Sequence, residues 1–214
     1  MTQKTVTPRI RYDEGCLAAH ALNLIGDRWA LLVVRELIFA PKRFQMIRAG
    51  LPGITASVLT ARLEQLKAAA IVLHDDRLGI YSLSDAGRAL LPVLEALCRW
   101  GLGVPGHDPS RFISPSALMI SMGVNLKGTA ARDMVAGFDF GAEAFRMRLS
   151  GGRLSTSAVA RPDTPFVLQG SGNALAMAIY GPVPIRQLAQ DGAISVQGDM
   201  AAAQDFVDHF SLNP

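Results

Sequence analysis

The sequence predicts an α+β protein of two domains, on three observations. The stretch GLGVPGHDPSRFISPS, residues 101–116, holds three glycines, three prolines and three serines in sixteen positions. That composition suits neither helix nor strand and marks a connection. Before it, apolar residues recur at helical spacing around one short hairpin. After it, short apolar runs separated by Gly and Pro turns give way to helices. The expected boundaries are 8–103 for the first domain, 104–114 for the linker and 115–214 for the second. A chain that is 50% hydrophobic over 214 residues has enough apolar surface for a core in each part.

In the first domain, Leu17, Ala21, Leu24 and Ile25 make one helical stripe, and Trp29, Leu32, Val33 and Leu37 a second. Gly26-Asp27 lies between them as turn and cap. KRFQMIRAGL predicts a short third helix, stopped by Gly50 and Pro52. Thr55 caps a fourth over 55–70, with Leu59, Leu63, Leu66 and Ala70 inward. IVLHDDRLGIYSL predicts two strands, 71–74 and 80–83, turning at 75–79. Ser84 begins a fifth helix with Leu90, Leu91, Leu94, Leu97 and Cys98 as its stripe, and Pro92 kinks it or marks its first turns.

Helix, turn, helix and a two-stranded wing is the order of a winged helix-turn-helix, which suits DNA. With Leu59 inward, the other side of the fourth helix carries Ala56, Ser57, Thr60, Ala61 and Glu64. Small side chains let a helix backbone approach base edges in the major groove, and Ser, Thr and Ala can all contact bases. Thr55 and Ser57 sit at the positive helix N-terminus, which favours phosphate. Arg43, Arg48 and Arg62 suit backbone phosphates. A face of Ser, Thr and Ala serves equally well against another helix, so the pattern alone leaves both uses open. Charge is consistent with a polyanion: residues 1–103 carry 13 Lys and Arg against 9 Asp and Glu, whereas residues 104–214 carry 8 against 9.

Residues 1–101 resemble the HxlR-type winged helix-turn-helix family of transcriptional regulators. The resemblance runs in order through Cys16, LIGDRWALLVVREL, PKRFQMI, LPGITASVLTARLEQL, YSLSDAGRALLPVLEAL and Trp100-Gly101. It implies a homodimer on a pseudo-palindromic site, paired through the first and fifth helices. Two features depart from the family pattern. The wing tip HDDRLG offers only Arg77 to phosphate beside Asp75 and Asp76. Ala70 replaces the glycine that usually ends the recognition helix, which predicts a less sharply defined helix end. Some members sense electrophiles or oxidants through a cysteine at the place of Cys16. His20, one turn on, would raise its thiolate fraction. The other role open to Cys16 is a small residue buried in the dimer interface.

Beyond the linker, DMVAGFDF, EAFRMRLS, RLSTSAVA and PFVLQG predict strands, with Gly151-Gly152 as a hairpin loop. NALAMAIY predicts a buried helix, Pro184 opens a short one closed by Gly192, and Asp199 caps the last, with Ala203, Phe206, Val207 and Phe210 inward. No Ser-His-Asp or paired-carboxylate spacing is present, and GSGNAL reads as a turn with a helix cap at Asn173 rather than a phosphate loop. The order of elements resembles the sterol carrier protein-like fold, most tellingly in DGAISVQGDMAAAQDF. The resemblance implies an apolar tunnel for a hydrophobic molecule. Its candidate lining is Met119, Met122, Phe138, Phe145, Met147, Leu175, Met177, Ile179, Phe206 and Phe210. A filled core has the same composition.

The fold expected is therefore α+β: a winged helix-turn-helix domain followed by a sterol carrier protein-like domain. The expected function is DNA-binding transcriptional regulation, without enzymatic activity, cofactor or metal. The expected partners are double-stranded DNA, a second copy of the chain and a hydrophobic effector. The alternative is regulation through Cys16, with the second domain a structural or dimerisation module. The most apolar run, 174–185, is twelve residues with two prolines, too short for a membrane span. Absence of an apolar leader and the presence of only two cysteines predict a cytoplasmic protein.

Overall fold

The structure is a computed structural model that describes residues 11–127 and 133–212. The outer ends expected for the two domains, 8–10 and 213–214, lie outside the described residues. The first domain contains α1 (Leu17–Ile25), α2 (Ala30–Leu37), β1 (Lys42–Arg43), α3 (Phe44–Ala49), α4 (Ala56–Ala68), β2 (Val72–Asp75), β3 (Ile80–Leu83), α5 (Asp85–Arg88) and α6 (Leu91–Leu102). A short strand that the sequence did not announce, β1, pairs with β3, so the wing is a three-stranded antiparallel sheet in the order β1-β3-β2. Val33, Val34, Leu37, Ile47, Leu59, Leu63, Leu66 and Leu83 form the core.

Several local expectations change. Pro92 marks the first turn of α6, so the expected fifth helix is two helices. Asp27 does not cap α2, whose N-cap is Trp29 without a side-chain bond. The Asp27 carboxylate instead pairs with Arg62. Leu17 and Leu97 face outward, 85% and 45% exposed. Ala70 lies beyond α4, exposed rather than inward.

The end of α4 is also sharper than expected. Ala70 adopts a left-handed φ of +54°. Its N–H bonds the carbonyl of Lys67 (2.9 Å), and the N–H of Ile71 bonds that of Leu66 (2.9 Å). This is a complete Schellman closure, with alanine where glycine bears no steric cost.

The second domain contains α7 (Pro115–Val124), β4 (Met134–Asp139), β5 (Ala144–Ser150), β6 (Arg153–Val159), β7 (Phe166–Gln169), α8 (Gly172–Tyr180), α9 (Ile185–Gln190), β8 (Ser195–Gly198) and α10 (Met200–Val207). Its sheet runs β6-β5-β4-β7-β8, with β4 parallel to β7 and the other neighbours antiparallel. Alternation along the strands turns Met134, Ala136, Phe138, Phe145, Met147 and Leu149 onto the helices. The other face carries Asp139, Arg146, Arg148, Val167, Gln169 and Gln197. Helix α8 is not buried all round, since Met177 is exposed. Its cap is Ser171, whose hydroxyl accepts from the N–H of Ala174.

The two domains share α7, an element the sequence did not predict. Ile120 belongs to the first core, and Leu118, Met119 and Met122 to the second. The linker is pinned too. The Asn173 amide donates to the carbonyls of Ser110 and Arg111 and accepts from the N–H of Ile113. Gly172 lies so close that a Cβ would sit 2.1 Å from the Ile113 carbonyl oxygen. Among the described residues no single helix is long and apolar enough to cross a membrane.

Replacing Ala70 with glycine removes the left-handed strain and loses no buried contact. Allowing for the greater freedom of glycine in the unfolded chain, it should stabilise the first domain by about 0.5–1 kcal/mol. Thermal unfolding should shift upward by about 2 °C. A lower midpoint would show that Ala70 is not strained.

Candidate nucleic-acid interface

The recognition-helix candidate is α4. Thr55 caps it, its hydroxyl accepting from the N–H of Val58 at 3.3 Å and lying 3.1 Å from the Ser57 hydroxyl. Leu59, Leu63 and Leu66 anchor one side in the core. Ala56, Ser57, Thr60, Ala61 and Glu64 are exposed on the other. The Thr60 hydroxyl donates to the Ala56 carbonyl at 2.9 Å, which leaves its lone pairs available as acceptors. Arg43, the N-cap of α3, and Arg48, in its last turn, are both exposed.

Arg77 is exposed in the wing turn. Beside it Asp75 accepts from the N–H of Leu78, and His74 pairs with Asp76 at 2.7 Å while stacking on Tyr81. Arg62 is placed differently from the other candidates. Its guanidinium is held by the side chains of Asp27 and Gln65, and its buried Nε has no hydrogen-bond partner among the described residues. It ties α4 to the α1–α2 turn rather than standing free for phosphate.

Against known proteins, the HxlR-like helix-turn-helix family model matches residues 24–107. An HTH-type transcriptional regulator of Synechocystis sp. is 34% identical over 106 residues, covering 47% of this chain and 78% of that one. YvaP of Bacillus subtilis, also described as an HTH-type transcriptional regulator, is 32% identical over 106 residues, 47% of this chain and 90% of YvaP. The chain belongs to the HxlR-like helix-turn-helix transcriptional regulators. Its relatives are regulators rather than enzymes. Quinone-bound YodB of B. subtilis aligns at 33% identity over 39% of this chain and 93% of that one, with a TM-score of 0.37. In this HxlR-like chain the second domain, from α7 onward, lies beyond the family match.

Cys16 is exposed as the N-cap of α1, and the N–H of His20 bonds its carbonyl at 3.0 Å. Cys98 is partly buried on α6, and burial pushes its thiol up, with smaller effects from Arg35, Glu95 and Arg99. Neither is in a disulfide, and among the described residues no three His, Cys, Asp or Glu side chains gather as a metal site.

Of the ten candidate lining residues in the second domain, all but Met177 are buried. Phe138, Phe166 and Phe210 surround Phe206 at ring separations of 6.2, 5.9 and 5.3 Å. Three of the ten line two clefts among the described residues. Ile179 and Phe210 line one of about 420 Å³ near Lys127 and Gln204, and Phe145 lines one of about 470 Å³ at the seam between the domains.

The sequence reading missed the residues that build that seam. Glu36 and Lys42 are fully buried. The Lys42 ammonium lies 3.4 Å from Glu36 and 2.7 Å from Glu143, and donates to Ser116 at 3.1 Å. Glu36 also accepts from Ser114 at 2.7 Å and from Arg35 at 2.9 Å. One signal was legible: Glu36 lies at i+3 from Val33, on the otherwise apolar inward stripe of α2.

The thiols give a direct check. A thiolate is the nucleophile, so a raised pKa slows reaction near neutrality. Iodoacetamide at pH 7 should label Cys16 first, and Cys98 labelling should accelerate only as pH rises above the usual thiol range, near about 8.5. Peptide mass spectrometry reads both rates. Equal labelling at pH 7 would contradict the placement of Cys98.

Proposed function

We propose that this HxlR-like regulator binds duplex DNA as a homodimer through the exposed face of α4, and that its second domain takes a hydrophobic small-molecule effector. The observation that carries the DNA contact is the face itself. Ala56, Ser57, Thr60 and Ala61 are all exposed on a helix whose opposite side is locked in the core. Short polar and methyl groups there admit the backbone to base edges. Thr55 and Ser57 at the helix N-terminus, with Arg43, Arg48 and Arg77, serve phosphates. Arg62 acts at one remove, by fixing the pose of α4.

Dimerisation is supported by large apolar residues exposed on the two helices that the family resemblance pairs. These are Leu17 and Leu22 on α1, and Val93, Leu97 and Trp100 on α6. Apolar side chains gathered on one pair of helices mark an association surface. A two-fold dimer would present two α4 helices to half-sites about one helical turn apart.

The effector reading draws support from the sterol carrier protein-like order of elements. It also draws support from the seam cleft, which Phe145 lines together with residues of both domains. A second reading keeps the second domain structural and lets Cys16 sense electrophiles or oxidants, as its exposure at the head of α1 favours. Protein alkylated only at Cys16 then retains DNA differently from untreated protein, and identical retention sinks that reading.

Selection from a random duplex pool tests the DNA contact. The wild type should enrich a pseudo-palindromic motif. Ser57→Ala with Thr60→Ala should change the enriched bases, while Arg43→Gln should weaken all sequences and lower the salt slope by about one. Trp100→Glu should shift the protein toward monomer in sedimentation and lose affinity in parallel. No enriched motif, or a motif unmoved by the double variant, defeats the assignment of the α4 face.

A further inference from the structure

The seam cleft has walls from both domains. Ala40, Pro41, Lys42 and Met46 come from the α2–α3 segment of the DNA-binding domain. Facing them are the outer side of the sheet, the β4–β5 turn and the β6–β7 crossover. The crossover wall is firmly set. Pro162 and Thr164 pass so close over Gly137 that a Cβ there would sit 2.7 Å from the Pro162 Cβ and 2.5 Å from the Thr164 hydroxyl. About 470 Å³ is within the range of small-molecule sites.

The lining divides into two kinds of group. Pro41, Met46, Val159 and Val167 offer an apolar bed. The polar groups are ordered. Asp139 accepts from the N–H of Gly141 and from the Gln169 amide, and the Gln197 amide donates to Gln169. Each of these side-chain amides keeps a second N–H for another acceptor. Arg161, exposed at the rim, has no ion-pair partner among the described residues.

Lys42 gives the site its charge preference. Its ammonium has three acceptors, and Glu36 and Ser116 are both fully buried. The third, Glu143, lines the cleft and keeps 15% of its side chain exposed. It sits in a turn whose Gly141 takes a φ of +83°. Glu143 is therefore the one acceptor that can leave Lys42 and reach water without crossing the core.

We propose that the seam cleft is the effector site and takes a small apolar carboxylate. The ligand's apolar body lies on Pro41, Met46 and Val159. Its carboxylate takes the place of Glu143 on Lys42, with Arg161 as second cation. This rests on the reading that the second domain takes an effector, and it gives that effector a class and a location. A cationic ligand meets Arg161 at the rim, and of the two lining carboxylates Glu143 is already paired with Lys42 and Asp139 already accepts from Gly141 and Gln169. A neutral one leaves the Lys42–Glu143 pair intact and gains no ion pair. The regulatory link is short: Lys42 is half of β1 and directly precedes Arg43, the N-cap of α3. Displacing Glu143 detaches the second domain's turn from the strand that leads into the helix-turn-helix.

The test is a fluorine NMR titration of the full chain with 4-fluorocinnamate and, as neutral isostere, 4-fluorocinnamamide. The acid should bind at least about tenfold more tightly than the amide, as a charge-assisted bond requires. Arg161→Gln, a surface change, should weaken the acid by about tenfold without affecting the amide. Glu143→Gln removes the internal competitor, so it should tighten the acid by about tenfold, whereas a purely structural role gives no gain. Equal affinity for acid and amide in both the wild type and Glu143→Gln overturns the site. If the acid binds with the expected pattern but leaves affinity for the selected duplex unchanged, the site stands and the effector reading fails.

Discussion

A lysine ammonium buried between two domains constrains everything around it. Removing such an ion from water costs several kcal/mol, so its acceptors must be in place when the chain folds. Lys42 draws them from separate parts of the sequence: Glu36 from α2, Ser116 from the start of α7 and Glu143 from the β4–β5 turn. Glu36 in turn needs Arg35 and Ser114. Arg35 and Glu36 come from the same domain as Lys42, but the set is complete only when both domains are folded and docked. Loss of one buried partner would cost about 3–5 kcal/mol, a large share of the stability of a typical domain. The network therefore fixes one relative placement of the domains.

The same network reaches the helix-turn-helix. A Cβ on Gly50 would fall 2.2 Å from a Glu36 oxygen, so the turn after α3 closes directly on the buried carboxylate. Arg35 donates to the Gly50 carbonyl at 3.0 Å as well as to Glu36. The turn between α3 and α4 is thus registered against the residues that hold Lys42. Helix α7 adds an apolar version of the same coupling, with Ile120 in one core and Leu118, Met119 and Met122 in the other. A Gly- and Pro-rich linker suggests a free hinge, but Asn173 and Gly172 clamp it to α8. Relative motion of the domains has to go through the seam.

What could be read from the sequence follows from the range of the interactions involved. The helix-turn-helix was legible because its signals are local: the Thr55 cap, the leucine spacing of α4 and the wing turn at Gly79. The strands of the second domain were legible from alternation and from Gly151-Gly152, whose φ values are +56° and +73°. Helix α7 was not, because its residues face two cores and leave little amphipathic contrast. Ala70 misled because glycine is the usual left-handed residue, yet two backbone hydrogen bonds hold alanine there. Arg62 looked like a phosphate ligand because nothing in the spacing reveals that Asp27, thirty-five positions earlier, turns it inward. Lys42 reads as half of a basic pair with Arg43. Only the β1–β3 register, which alternates their faces, separates a buried ion from an exposed one.

That alternation is also what the proposed exchange at the seam relies on. Consecutive residues in a strand point to opposite sides, so Lys42 faces the second domain while Arg43 faces solvent. Coupling between sites requires a ligand that interacts differently with two states of the molecule. At this seam the two states differ in which carboxylate neutralises Lys42. Exchanging one carboxylate for another keeps the buried ammonium compensated, so the exchange avoids the penalty of leaving an ion unpaired. What changes is the attachment: Glu143 belongs to the second domain's turn, and a ligand carboxylate does not. A buried ion pair that is costly to break by mutation can thus be cheap to trade by binding, and its position one residue from Arg43 places that trade where α3 begins.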